Sequence, residues 1–374
     1  MNILVAPNSF KECADSVSIA ELIVTNLSRH KGYNLISKPL SDGGDGFLRV
    51  CQENFGLEIL YYNIPAPYGS RIIKCPVGYS RADKKIYVES ANVLGLKIIP
   101  ASKRHPLILS SRGMGVLLKN ILKDIKRGKI EAAEIIIGIG GTGTNDMGIG
   151  MLSESGMKLL DKNNSELEPI PLNFRSIKKI LWKRPEFPFK ITLVTDVNNP
   201  LLGRDGAAAV YGKQKGLTAE EILIAEAGFR NIITILKKDR IIRNTEFLSG
   251  AGGGLAAGFQ IFPGSKIIRS DKFISNNLGI KKSRHISAVI TAEGRFDTQS
   301  FMNKATGIII KKFSHTNTKI ILVCGSVDKK VLRLIPENVY PIELLNFFKN
   351  KADSIRYYKK GIKMACKKIR FQMI

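Results

Sequence analysis

Ile135-Ile136-Ile137-Gly138-Ile139-Gly140-Gly141-Thr142-Gly143-Thr144-Asn145-Asp146-Met147-Gly148-Ile149-Gly150 is the stretch on which the fold turns. It opens with an isoleucine run too short for a helix, breaks into glycine, and continues into an apparent helix. A run apolar on both faces fits a buried parallel strand, covered on each side by helices. Residues 3–6, 191–194, 288–291 and 320–323 read the same way. Each run is followed by small or polar residues, which then sit at strand C-terminal ends, where open α/β sheets take their ligands.

Helical patterns lie between these runs. Residues 16–29 carry Val17, Ala20, Ile23, Val24 and Leu27 close to the 3.6-residue period. Residues 113–126, 218–237, 305–313 and 352–369 also read as helices, and Thr218 with Glu221 three positions on is a capping-box signature. Residues 58–64, 71–78 and 85–91 are strand-like and separated by turn residues, which predicts an antiparallel meander. The 374 residues exceed what one core usually spans. The expected fold is α/β, with two α/β domains. One is Rossmann/flavodoxin-like, its parallel sheet formed from both chain ends (1–58 plus 284–374). The other is an inserted domain with a mixed sheet (59–283).

The formal net charge of +26 raises the question of a polyanionic partner. The densest basic pieces, at 281–284 and 359–360, are short and lack interleaved aromatics. The charge therefore reads as a solvated basic surface, with no specific nucleic acid. Five cysteines at wide spacing, none in a CxxC pair, fit buried free thiols in a reducing compartment. The four histidines are scattered and no zinc spacing occurs. No signal peptide or membrane-length apolar run is visible, so the expectation is a cytoplasmic protein with no membrane association. A homodimer is left open.

Six segments carry candidate chemistry. Asn8-Ser9-Phe10-Lys11 follows the first strand and precedes a helix, an arrangement that suits an anion, although it is no Walker loop. Asp42-Gly43-Gly44-Asp45-Gly46 sets two carboxylates on a glycine scaffold, able to hold Mg²⁺ or to orient a hydroxyl. In the opening stretch, Gly138, Gly140, Gly141, Thr142, Thr144, Asn145 and Asp146 would offer backbone and side chains to phosphate oxygens. That loop has no lysine, so a cation must come from elsewhere. Asp196 ends an apolar strand, as a general base, a metal ligand or a capping carboxylate would. Residues 249–258 include five glycines, among them Gly252 and Gly253, and read as a close-packing loop or a nucleotide clamp. Finally Glu293, Arg295, Asp297, Gln299 and Lys304 follow the 288–291 run, as structural ion pairs or as phosphate-handling groups.

Taken in order, these segments resemble the type-I glycerate kinase family, from Ala6 to Ser326. The family pattern has an APDSFKG-like start, then DGGEG, GIGGSATNDGG, CDVxNPLxGxxGA with FGPQKG, a glycine-rich turn, and TGEGxxDxQSxxGK. The resemblance implies a two-domain α/β enzyme that uses ATP and Mg²⁺ to phosphorylate glycerate, generally giving the 2-phosphate. Here Asn8 stands for the usual Asp, Asp45 for Glu, Thr142-Gly143 for Ser-Ala, Met147 for Gly and Lys213 for Pro. Ala292, Asn303 and Thr306 stand for Gly, Gly and Pro. The losses at Asn8, Ala292 and Asn303 keep a catalytically degenerate relative as an alternative, and a nicotinamide-dependent hydroxy-acid dehydrogenase is another. On this reading the 138–145 loop and Gly252–Gly253 take the ATP phosphates, and Mg²⁺ belongs to carboxylates among Asp42, Asp45, Asp196 and Glu293. Asp196 is the expected base, with Lys11 and Arg295 catalytic beside it. Asn8, Ser9, Arg71, Asp297, Gln299 and Lys304 are expected to bind glycerate.

Overall fold

Hydrogen bonding sorts the apolar runs into two main sheets. The computed structural model describes residues 1–10, 13–29, 31–243, 247–281, 285–302 and 304–372. Lys11 and Asn303 lie outside the described residues. In chain order the strands are β1 Asn2–Val5, β2 Asn34–Ser37, β3 Glu58–Pro65, β4 Ile72–Ser80, β5 Lys85–Glu89, β6 Glu134–Gly138 and β7 Lys158–Leu160. They continue with β8 Lys179–Leu181, β9 Lys190–Thr195, β10 Lys266–Arg269, β11 Ala288–Phe296, β12 Lys319–Val327 and β13 Val339–Glu343.

The chain separates into two compact units. The first comprises Met1–Asp42, Arg49–Gly56 and Arg269–Ile374. Its sheet runs β13-β12-β11-β1-β2, with every adjacent pair parallel. Counted within this unit from the β2 edge, that is the flavodoxin-like order 2-1-3-4-5, with its switch point between β1 and β11. Helices Ser16–Leu27 and Tyr358–Gln372 lay Ile19, Ile23, Ile362 and Ile369 against Ile3, Val5, Ile290 and Ile321. Alternate strand residues such as Leu4, Val289, Ile320 and Leu322 are buried as well. These strands are therefore apolar on both faces.

The second unit comprises Gly43–Leu48 and Leu57–Ile268. Its sheet runs β10-β9-β6-β5-β4-β3. The antiparallel meander β3-β4-β5 is extended by the parallel strands β6 and β9. Helix Ala219–Lys238 carries the expected capping box: Glu221 N–H donates to Thr218 Oγ1 at 3.3 Å, and Thr218 N–H donates to Glu221 Oε2 at 2.8 Å. Its buried face packs Phe229 against Phe174. Among the described residues no helix is long and apolar enough to cross a membrane.

Three local expectations are corrected. Strands β11 and β12 do not stop where their apolar runs stop. They remain paired with each other through Glu293↔Cys324 and Arg295↔Ser326, so Glu293 and Arg295 lie within a strand. Ladder hydrogen bonds are blind to side-chain polarity, whereas the apolar pattern ends at the first charge. The C-terminal helix expected over 352–369 is two helices, Lys351–Arg356 and Tyr358–Gln372, the first capped by the Asn350 side chain. No proline marks that break. The chain also passes between units at Ile268–Arg269, and the turn Gly43–Leu48 goes with the second unit.

Candidate active site

In the second unit, the carboxyl ends of β5, β6 and β9 are covered by the Asp/Gly turn. Close approach of backbone to backbone requires its glycines. A Cβ on Gly140 would lie 2.6 Å from Gly44 Cα, and one on Gly138 would lie 2.7 Å from Gly43 O. Buried Glu89, at the end of β5, accepts from the N–H groups of Gly46 and Leu48, each at 3.0 Å. Burial pushes its carboxyl up, and those two donors pull it back. Gly138 and Gly140 are thus explained by packing. Asp45 pairs with Lys97 at 2.9 Å and is half-exposed.

Beyond Gly140, the loop arranges groups that packing does not use. Asp146 is an exception: it turns inward and accepts from the N–H groups of Ser111 at 2.7 Å and of Gly148 and Gly150 at 3.2 Å. Burial raises its carboxyl nonetheless. The Asp146 side chain was expected to face a ligand. Instead it anchors the loop to helices Arg112–Lys126 and Ile149–Glu154. Thr144 Oγ1 and both side-chain heteroatoms of Asn145 are enclosed and have no hydrogen-bond partner among the described residues. Buried polar atoms are ordinarily satisfied, so three orphans in one loop indicate a missing partner.

The cation that the loop lacks is Lys215. Its Nζ donates to Thr144 O at 2.7 Å and to Thr142 Oγ1 at 3.2 Å. Burial lowers the amino group to about 7, against the pull of the buried Asp146 charge. Gly252, Gly253 and Gly254 all have positive φ and pass beside this cluster. A Cβ on Gly253 would lie 2.7 Å from Lys215 Nζ and 2.9 Å from Asn145 Oδ1. Thr142, Thr144 and Gly253, with Asn145 beside Gly253, are therefore gathered round one amino group, while Gly141 packs beside Asp45 and Ala91, and Gly252 beside Ile139 and Leu255. Lys215 was not singled out from the sequence. Its signal was the segment Gly212-Lys213-Gln214-Lys215-Gly216, which matches the family's FGPQKG.

Asp196 follows β9 directly. Across from it is Tyr211, whose hydroxyl is pushed up to about 12 by burial and then by the Asp196 charge. Tyr211 OH donates to Asn199 Oδ1 at 2.8 Å. Arg71 sits in the turn between β3 and β4, exposed, with Nη1 donating to Tyr68 OH at 3.3 Å. Strand polarity puts that turn at the same end of the sheet as the β5 and β6 carboxyl ends.

In the first unit, Ser9, Glu293, Arg295, Asp297 and Lys304 line one pocket of about 310 Å³. Asn8 is buried beside it, its N–H donating to Ala292 O at 2.8 Å and its Oδ1 accepting from Ser9 N–H at 2.9 Å. Lys304 Nζ lies 3.3 Å from Glu293 Oε1 and 3.4 Å from Ser300 Oγ. Burial raises the Glu293 carboxyl, Lys304 and Ser300 lower it, and the Asp42 charge raises it further. Its other oxygen is enclosed and has no hydrogen-bond partner among the described residues. Burial alone would raise Asp297, but the Ser300 N–H and the Lys304 and Arg295 charges outweigh it and hold the carboxyl below its ordinary value. Arg295 lies 3.6 Å from Asp328 and is largely exposed. Gln299 is exposed and not part of the pocket lining.

Among the described residues no three His, Cys, Asp or Glu side chains form a metal cage. Mg²⁺ does not need one, because it is usually held by one or two carboxylates with substrate phosphates and water. The orphaned Glu293 oxygen and its electrostatic neighbour Asp42 fit that role. Asp45 would first have to release Lys97.

A flavodoxin-like unit with a charged pocket, and a second unit whose glycine loop encloses a lysine, define a small-molecule phosphotransferase. A profile of the glycerate kinase family matches residues 3–369. The chain belongs to the glycerate kinase family. It is 30% identical over 332 residues to glycerate kinase of Haemophilus influenzae, covering 87% of this chain and 86% of the relative. It is likewise 30% identical over 344 residues to glycerate 2-kinase of Escherichia coli K12, covering 88% and 87%. A crystal structure provisionally named glycerate kinase 2, from Salmonella typhimurium LT2, superposes with a TM-score of 0.80 at 25% identity, covering 100% of this chain and 98% of that one.

Proposed function

We propose that this chain is an active, cytoplasmic, ATP- and Mg²⁺-dependent glycerate kinase that gives 2-phosphoglycerate. The observation that carries the reading is the enclosed Lys215 with the orphaned Thr144 and Asn145 atoms. Phosphoryl transfer needs positioning and charge neutralisation more than covalent chemistry, and a lysine surrounded by unsatisfied donors and acceptors supplies both. The loop 140–145 with Gly252, Gly253 and Lys215 binds phosphate oxygens. Asn8, Ser9, Arg295, Asp297 and Lys304 handle the glycerate carboxylate or the phosphoryl group in transit, with Arg71, Gln299 and Lys11 as further contacts. Charge neutralisation of the phosphate oxygens is the chemistry that Mg²⁺ would supply here. Asp42 and Glu293 would hold it.

Asp196 acts as the base. The glycerate hydroxyl oxygen forms a bond to the γ-phosphorus as the bond from that phosphorus to the bridging oxygen of ADP breaks, and the hydroxyl proton passes to the Asp196 carboxylate. The test is purified protein with ATP, Mg²⁺ and a panel of small hydroxy acids. Glycerate-dependent ADP formation is expected, with a product that enolase consumes without a mutase. Absence of ADP, or oxidation of hydroxy acids with NAD, would overturn the reading.

A further inference from the structure

Asn199 joins three parts of the second unit. Its Nδ2 donates to Asp205 O at 2.9 Å, which braces the loop that follows β9 and carries Asp196. Its backbone O accepts from Gly250 N–H at 2.8 Å, which fastens the glycine turn running on to Gly253. Its Oδ1 accepts from Tyr211 OH at 2.8 Å. Tyr211 belongs to helix Ala207–Gly212, which passes directly into the tight turn Lys213–Lys215. Four residues of helical path bring Tyr211 and Lys215 to one face, and Lys215 Nζ stands 5.9 Å from the centre of the tyrosine ring. The tyrosine hydroxyl is also within electrostatic reach of Asp196. One side chain thus bears on both the proposed base and the phosphate-binding amino group. Its hydroxyl is a feature of this chain. Tyr211-Gly212-Lys213-Gln214-Lys215-Gly216 stands where the family pattern reads FGPQKG, so tyrosine replaces phenylalanine and lysine replaces proline within three residues. Proline fixes φ near about −65°. Lys213 has φ −58°, the same backbone angle without the ring that enforces it. One change removes a restraint on the turn that carries Lys215, and the other adds a hydrogen bond to it.

We propose that Tyr211 is a positioning residue: by holding Asn199, its hydroxyl sets the spacing between the Asp196 loop and the segment bearing Lys215, in place of the proline that this chain lacks. Asn199 and Tyr211 are only part-buried, so water can take the place of the hydroxyl and the fold does not depend on it. The spacing does. Without the bond each ligand still meets its own groups, but base and phosphate are no longer held at one distance. Loss of alignment between reacting groups shows in turnover and not in binding. This role rests on the kinase reading, with Asp196 as base and phosphate at Lys215.

The test is steady-state kinetics of the full chain with ATP, Mg²⁺ and glycerate, for wild type, Tyr211→Phe, and Tyr211→Phe combined with Lys213→Pro. Thermal melting of each variant checks the fold. Tyr211→Phe keeps the ring beside Lys215 and should melt with wild type. Its kcat should fall about tenfold, while KM for ATP and for glycerate each stay within about twofold. Lys213 is exposed, so adding Lys213→Pro removes no buried side chain. That second change should return kcat to within about threefold of wild type, because the ring restrains the same turn by another means. Turnover of Tyr211→Phe equal to that of an active wild type would overturn the proposal. So would a lowered melting temperature with both KM values raised, the mark of a merely structural contact. A folded double variant as slow as Tyr211→Phe would overturn the exchange of proline for hydroxyl. A wild type that forms no ADP with glycerate would overturn the kinase reading and this role with it, an outcome distinct from a variant that matches an active wild type.

Discussion

Nucleotide binding at Lys215 should take up a proton. With the amino group held near 7, about a tenth of the molecules carry the charge at pH 8. A phosphate oxygen placed at Nζ favours the charged form and moves the group back towards its ordinary value of 10.5. The bound state is then fully protonated at pH 8, and roughly 0.9 proton enters per nucleotide. The complex binds more protons than the free protein between pH 7 and the bound value, so affinity falls as pH rises through that window. Between pH 8 and 9 the loss should approach tenfold. The assay is titration of a non-hydrolysable ATP analogue at pH 8 in two buffers of different ionisation enthalpy, repeated at pH 7 and 9. Lys215→Met should abolish the buffer dependence and flatten the pH dependence. Heats independent of buffer in wild type, with a flat affinity from pH 7 to 9, would refute placing phosphate at this lysine.

Asp196→Asn should keep the fold and lose about 10²–10⁴-fold in turnover; activity within a few-fold of wild type in steady-state kinetics would remove the base from that position. Asn8→Asp should change turnover by about tenfold or less, because Asn8 already closes its turn through the Ser9 N–H. A nearly inert wild type revived by that single change would make this chain a degenerate kinase. Met147 has φ +56 and is fully buried. Met147→Gly relieves about 1–2 kcal/mol of left-handed strain but forfeits about 2–5 kcal/mol of packing, so calorimetric melting should show net destabilisation. Retention on DNA should vanish between low and physiological salt if the +26 charge is only a solvated surface.

Strands β1, β6, β9, β11 and β12 could be read from short apolar runs, because strands buried on two faces leave an unbroken hydrophobic signature, whereas the edge strands β2, β10 and β13, part-exposed, left none. The meander at 58–91 was legible from its turns, and the capping box from a three-residue spacing. What could not be read was contact at a distance. Nothing local to the glycine loop says that a lysine some seventy residues later closes over it. Asp146 was misjudged for a related reason. Loop carboxylates read alike whether they face a ligand or three backbone N–H groups, and only the path of Arg112–Lys126 decides.

The pairing of Ile3 with Ala288 has a consequence for the order of assembly. During synthesis β1 and β2 leave the ribosome before the other strands of their sheet, yet β1 is an interior strand whose other neighbour is made nearly three hundred residues later. Until then the pair presents an unpaired backbone edge along β1, although Ile19 and Ile23 of the intervening helix can already cover Ile3 and Val5. The strands β3 to β9 meanwhile emerge in one continuous run and can close their own sheet without waiting. Vectorial folding should therefore complete the second unit while the first amino-terminal strand remains open. An arrest series stopped shortly before β11 would capture a nascent chain with one protease-resistant core and a cleavable amino-terminal segment.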